Sequence, residues 1–183
     1  GGMLGLETAE YLAVQGNGVT VLKRYETIGR DIEPLYRDYL SLGKMDYLYD
    51  KVQLYDTLKV IMQGQGSTDQ IVPILEEQAD IGHHMLHFLE NHDEQRIASH
   101  GFAGDARKGM PAMVVSAAVS TSPTMIYFGQ EVGEPAEGNP GFGSETRTTI
   151  YDYWGVPHHV RWMNGGAFDG GKLTEEETEL RNF

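Results

Sequence analysis

Apolar positions in this chain recur at two spacings, helical and extended, and the two alternate along its length. Leu6, Ala9, Leu12 and Ala13 share one helical face, a Gly16-Asn17-Gly18 turn follows, and Val19-Thr20-Val21-Leu22 reads as a strand. Leu35, Tyr36, Tyr39 and Leu40 form a second helical stripe, which Gly43 can end. Tyr47-Leu48-Tyr49 is a short strand. Tyr55, Leu58, Ile61 and Met62 mark the next helix, broken by Gly64-Gln65-Gly66. Ser67, with Gln70 three residues on, predicts a capping box for a helix carrying Ile71, Ile74 and Leu75. Residues 85–89 form the next strand. Pro111 opens a helix with Met113, Val114, Ala117 and Ala118 facing inward, and residues 124–128 are again a strand. Thr174 and Glu177 predict a capped last helix. Strand and helix in turn predict an α/β fold with parallel strands.

Composition narrows the function classes. With 183 residues the chain suits one ordinary domain and falls short of the ~250 of a complete (β/α)8 barrel. A net charge of −13 argues against a nucleic-acid partner, whose phosphates call for Lys and Arg. With no cysteine, disulfides and thiolate metal sites are excluded. Residues 110–128 carry no charge, but Pro111, Pro123 and Ser120-Thr121-Ser122 break the run, so a buried helix and strand explain it better than a membrane span. Gly1-Gly2 has no basic region before it, and Glu7 and Glu10 interrupt any apolar core, so no signal peptide is expected. A soluble chain without a membrane partner is the expectation.

The sharpest chemical signal is Leu86-His87-Phe88-Leu89-Glu90-Asn91-His92-Asp93-Glu94-Gln95-Arg96, where an apolar run ends in a carboxylate, an imidazole and an amide. Two readings stay open on the residues alone. In one, the cluster sits at the mouth of a barrel strand, where α/β barrels keep their chemistry, and Arg96 holds Asp93 ionised. In the other, Asp93 is the N-cap of a helix and Arg96 its solvated partner. His83-His84-x-x-His87 and His158-His159 are too loosely spaced for a zinc site, and no metal is expected there. Glu76-Glu77 and Glu175-Glu176-Glu177 read as solvated helix faces, the second complementing a helix N-terminus.

Phe88-Leu89-Glu90-Asn91-His92-Asp93 resembles the fourth sequence region of the α-amylase family, glycoside hydrolase family 13: an apolar residue, two more, then Asn-His-Asp. Met45-Asp46-Tyr47-Leu48-Tyr49-Asp50-Lys51-Val52, Tyr127-Phe128-Gly129-Gln130-Glu131 and Arg147-Thr148-Thr149-Ile150-Tyr151-Asp152-Tyr153-Trp154 also resemble that family's second barrel half. The resemblance covers about residues 34–183. It implies units six to eight of a (β/α)8 barrel, preceded by the helix after the fifth, and a retaining hydrolase acting on an α-glucan or maltooligosaccharide. Asp93 then takes the part of the third carboxylate, which binds sugar hydroxyls and supports the oxocarbenium-like transition state. His92, Asn91 and Arg96 take substrate-binding parts, His92 on the same sugar and the other two as support for the carboxylate. Gln130-Glu131 orders the active face, to which residues 129–171 belong as a loop. Tyr151, Tyr153, Trp154 and Trp162 either stack on sugars or anchor that loop.

Retaining glycosidases need a nucleophilic carboxylate and an acid about 5–5.5 Å apart. The family's nucleophile belongs to strand four, outside the matched region. The register for the general acid falls on Gly29, with Glu26 and Glu33 beside it. The chain thus carries one of three catalytic carboxylates and is expected to be inactive in isolation. Calcium belongs, if anywhere, to the complete enzyme.

Gly2 and Gly5 stand at the last two glycine positions of G-x-G-x-x-G, and Leu6-Glu7-Thr8-Ala9-Glu10-Tyr11-Leu12-Ala13 resembles the nicotinamide-nucleotide segment of pyridine nucleotide-disulfide oxidoreductases. The first strand and first glycine of that unit are not matched, and Lys23-Arg24 replaces the ribose-binding acid. Gly2 and Gly5 are therefore vestigial cofactor positions, and NAD(P) binding is not expected. Two truncated units, a Rossmann-like fragment at 1–33 and half a barrel at 34–183, meet at Ile32-Glu33-Pro34 with no linker, as in a chimera. Half a barrel has open sheet edges, which invite self-association unless the Val19 strand lies beside the Tyr47 strand.

Overall fold

Three short parallel strands carry the α/β alternation. A computed structural model of the chain describes residues 33–137 and 156–183, together with Gln15. The chain divides into two compact units, 1–36 and 37–183. The readings at Gly2, Gly5, residues 6–13, the Val19 strand and Gly29 lie outside the described residues, as do those at Tyr151, Tyr153 and Trp154.

Helix α1 spans Glu33–Ser41, and β1 is Leu48–Tyr49. A π-helical turn, Lys51–Tyr55, leads into α2, Asp56–Met62, and a 3-10 turn at Thr68–Gln70 leads into α3, Ile71–Glu77. Strand β2 is Met85–Phe88, α4 is Gly109–Ala118 and β3 is Thr124–Met125. Helices α5, Pro157–Met163, and α6, Glu175–Asn182, complete the described α-helices. The sheet runs β1-β2-β3, parallel throughout, with Leu48 beside Met85 and His87 beside Thr124. Parallel neighbours require a crossover rather than a hairpin. Helices α2 and α3 supply the first and α4 the second, so the α/β class expected from the periodicity is present.

Leu54, Leu58 and Met62 repeat every four residues and stay buried along one stripe. That stripe packs with Leu89, Ile97, Phe102, Ala103 and Ala112 in the core cluster. Phe88 stacks on Tyr55, ring centroids 4.7 Å apart at 12°, and takes Tyr49 edge-on at 5.1 Å. Arg37, in the middle of α1, makes a two-pronged contact with Asp80, at 2.9 and 2.7 Å, and donates to the Glu77 carbonyl at the end of α3.

Several local expectations are revised. Helix α4 buries Ala112 and Ser116, whereas Val114, Ala117 and Ala118 are exposed. Its apolar residues occupy all sides, so periodicity could not orient it; the small pair four residues apart lets it lie close on its neighbours. Pro111 sits in its first turn, two residues after Gly109 opens it. Ser67 accepts from the Asp69 amide rather than forming a reciprocal box with Gln70, while Thr174 and Glu177 make both halves of theirs. Gly43 sits where a Cβ would meet the Tyr39 carbonyl oxygen at 2.6 Å, and the left-handed residue after α1 is Lys44. Strand β3 stops at Met125 rather than 128. The Gln130 Oε1 accepts the Tyr127 amide at 3.2 Å and takes it out of the ladder, and Gly129 turns the chain at φ 89°.

Among the described residues no helix is long and apolar enough to cross a membrane, and no group of three His, Asp or Glu side chains converges as a metal site would need. His84 instead bonds the Asp46 carbonyl through Nδ1 at 2.8 Å and packs on His83.

Leu58→Ala removes the centre of the α2 stripe and is expected to lower unfolding stability by about 2–5 kcal/mol in urea titrations. Val72→Ala, at a 60 % exposed position, should change it by no more than about 0.5 kcal/mol.

Candidate functional site

The candidate site forms where β2 leaves the sheet. Leu89 and Glu90 are still buried, and the chain then folds back on itself at Asn91. The Asn91 Oδ1 accepts the Asp93 amide at 2.8 Å and the Glu94 amide at 2.9 Å, an Asx turn that fixes the next three residues. Asn91 is itself buried, and the turn sends its neighbours outward. The Asp93 side chain is 61 % exposed and that of His92 38 %, with His92 Nε2 3.3 Å from Asp93 Oδ2.

Arg96 departs from its expected place. It has no exposed surface, and its Nη1 donates to Glu90 Oε2 at 2.7 Å. Its Nη2 donates to the Phe128 carbonyl at 2.7 Å, and the guanidinium lies over the Tyr127 ring at 4.4 Å. Glu90 Oε1 accepts the Ile97 amide at 2.8 Å, closing the loop from within. Burial pushes the Glu90 carboxyl above its ordinary range, with Arg96 pulling the other way. The carboxylate that Arg96 serves is thus that of Glu90, and a fully buried guanidinium meets no sugar. The sequence signal for this pair was weak, because partners six residues apart share no periodicity.

Glu94 was passed over in the sequence and is the hub of a charged cluster beside the Asx turn. Its Oε2 accepts from the Tyr55 hydroxyl and from Lys59 Nζ, both at 3.0 Å, and its Oε1 lies 3.3 Å from Lys51 Nζ. Lys51 also donates to Asp56 at 2.6 Å. Lys51, Tyr55 and Lys59 repeat every four residues, a spacing that could have flagged the cluster. Burial works to raise the Glu94 carboxyl, but Lys59, Lys51 and Tyr55 outweigh it and hold the group below the ordinary carboxylate range. Burial, with Glu94 beside it, pushes the Tyr55 hydroxyl up.

The arrangement offers an outward carboxylate and an adjacent imidazole on a rigid turn, suited to accepting and donating hydrogen bonds to a hydroxyl-rich ligand. Near the end of the chain, Glu131 Oε2 accepts the Gly129 amide at 3.0 Å, and Trp162 contacts His159 and Phe168. A cavity of about 560 Å³ lies behind the turn, lined by Leu89, Glu90, Ile97, Met113, Ile126 and Leu180 among others, and neither His92 nor Asp93 lines it.

Arg96→Met leaves Glu90 buried without its cation, and is expected to cost about 3–5 kcal/mol of unfolding stability in urea titrations. Glu94 adds a pH signature. Its folded pKa lies below the unfolded value of about 4.3, so its stabilisation is complete above that value and is lost as pH falls through the folded pKa. Glu94→Gln should therefore be less stable than the parent at about pH 7, and the two should converge as pH falls through the folded Glu94 pKa, as read from urea midpoints. Compared with models of known families, with curated proteins and with solved structures, the chain matches none.

Proposed function

We propose that residues 34–183 are units six to eight of the catalytic barrel of an α-amylase-type glycoside hydrolase, with an α-glucan or maltooligosaccharide as the bound partner. The observation that carries this reading is the position of Asn91-His92-Asp93. They lie just past the carboxyl end of the middle strand of three parallel strands, with the carboxylate held outward by an Asx turn. In α/β barrels that end of the strands is the reactive face. Asp93 accepts hydrogen bonds from sugar hydroxyls and offsets positive charge on the anomeric carbon, and His92 binds the same ring. Asn91 shapes the turn, and Arg96 braces it from behind through Glu90.

Turnover by a retaining mechanism needs a nucleophile and an acid as well. Neither role has a matching residue in the described part of the chain, so binding without cleavage is the expected behaviour of these residues alone. Ile126 and Phe128, exposed at 57 % and 50 % beside β3, support self-association or pairing with a complementary half through the open edge.

Calorimetric titration with a maltooligosaccharide tests the reading. The chain should bind, and Asp93→Asn should weaken binding by about 1.5–3 kcal/mol, roughly tenfold to a hundredfold. A chromogenic maltooligosaccharide should not be cleaved above background. Binding that ignores Asp93→Asn contradicts the assignment, and clear turnover by the pure chain contradicts the expected inactivity.

A further inference from the structure

A second constellation stands on the sheet away from the Asx turn. The register that sets Leu48 beside Met85 and Tyr49 beside Leu86 continues to bring Asp50 beside His87, and the Asp50 amide donates to the Leu86 carbonyl at 3.0 Å. Ser120 comes from the turn between α4 and β3. That turn is held by the Ser122 amide, which donates to Ser120 Oγ at 3.0 Å, and by the Ser122 hydroxyl, which donates to the Gly82 carbonyl at 2.8 Å. His87 Nε2 lies 2.9 Å from Ser120 Oγ, and His87 Nδ1 lies 3.3 Å from Asp50 Oδ2. Asp50 and His87 are 1 % and 3 % exposed, whereas Ser120 is half-buried.

The order of the three groups carries the chemistry. Asp50 Oδ1 already accepts the Leu54 amide, at 3.3 Å, as the cap of the π-helical turn. Asp50 Oδ2 and His87 Nδ1 stand 3.3 Å apart, a charge contact not aligned as a hydrogen bond, and neither atom has another hydrogen-bond partner among the described residues. A carboxylate at Nδ1 favours the tautomer with its proton there, which leaves the Nε2 lone pair for the hydroxyl. Nucleophile, base and orienting carboxylate in sequence are what an activated serine requires.

We propose that Asp50, His87 and Ser120 form a second, nucleophilic site that takes an acyl group from a small activated ester, independently of the carbohydrate reading. Ser120 Oγ attacks the ester carbonyl carbon while His87 Nε2 accepts the hydroxyl proton. The carbon–oxygen bond to the leaving group breaks, the departing oxygen takes that proton, and Ser120 remains as an acyl ester. Water, with His87 as base, then releases the carboxylic acid and restores the hydroxyl. The Ser122 amide donates to Oγ itself at 3.0 Å and so is not aimed at an oxyanion, whereas amide cleavage leans on donors that are. Esters with a good leaving group are therefore the substrate class.

The test uses the full chain and p-nitrophenyl acetate, following the burst of p-nitrophenol and locating the acetyl group by peptide mass mapping. The acetyl group is expected on Ser120, and Ser120→Ala should abolish the burst. Asp50 acts through His87, so Asp50→Asn should slow acylation about a hundredfold, within the usual range for a general base, with the half-saturating ester concentration unchanged. Because Asp50 also caps a turn, Ser120→Cys serves as a second probe, and it should still be acylated in a parent-like fold. Acetyl groups found on lysines, tyrosines or other serines but not on Ser120 would overturn the proposal. So would acylation of Ser120 at an equal rate in a folded Asp50→Asn chain.

Discussion

The buried Glu90–Arg96 pair is the constraint on which the rest of the site depends. Two opposite charges with almost no exposed surface persist in a protein interior only when each is fully engaged. Here Glu90 engages Arg96 and the Ile97 amide, and Arg96 engages Glu90, the Phe128 carbonyl and the Tyr127 ring. These bonds tie the chain just after β2 to the chain just after β3. The two strand ends therefore keep a fixed separation, and the loop between Glu90 and Ile97 has both its ends pinned.

A loop pinned at both ends has little freedom in its middle. The Asn91 side chain uses that by occupying the amides of Asp93 and Glu94, which sets the carboxylate outward on one side of the turn and Glu94 inward on the other. Glu94 then meets Tyr55, Lys59 and Lys51 from the first crossover. The exposed Asp93 thus stands on a base made of a buried ion pair and a second charged cluster, with aromatic packing of Phe88 on Tyr55 beneath. Such support is what a binding carboxylate needs, since a group that must be ordered on binding loses affinity to entropy.

Much of this was legible in the residues, and the exceptions have physical causes. Strand β2 was readable because a short apolar run ends in a polar cluster, and α6 because Thr174 and Glu177 satisfy each other's backbone amides. The inward face of α4 was not, because a helix apolar all round carries no directional signal. The end of β3 was set by a side chain, Gln130, competing for the Tyr127 amide, which no periodicity reports. At the site, the outward Asp93 with His92 and Asn91 beside it could be read from Asn-His-Asp. Arg96 was paired with the wrong carboxylate, because charge alone does not distinguish Asp93 from Glu90. The Asp50–His87–Ser120 alignment depends on strand register across two crossovers and was invisible in one dimension.

The central claim is that the turn after β2 presents Asp93 and His92 to a sugar. Mapping amide chemical shifts of the labelled chain during titration with a maltooligosaccharide tests it most directly. The account predicts perturbations concentrated at Asn91, His92, Asp93 and Glu94, with the apolar cavity beside Met113 and Leu180 unaffected. Shifts confined to that cavity, or none at the turn at saturating sugar, would contradict it.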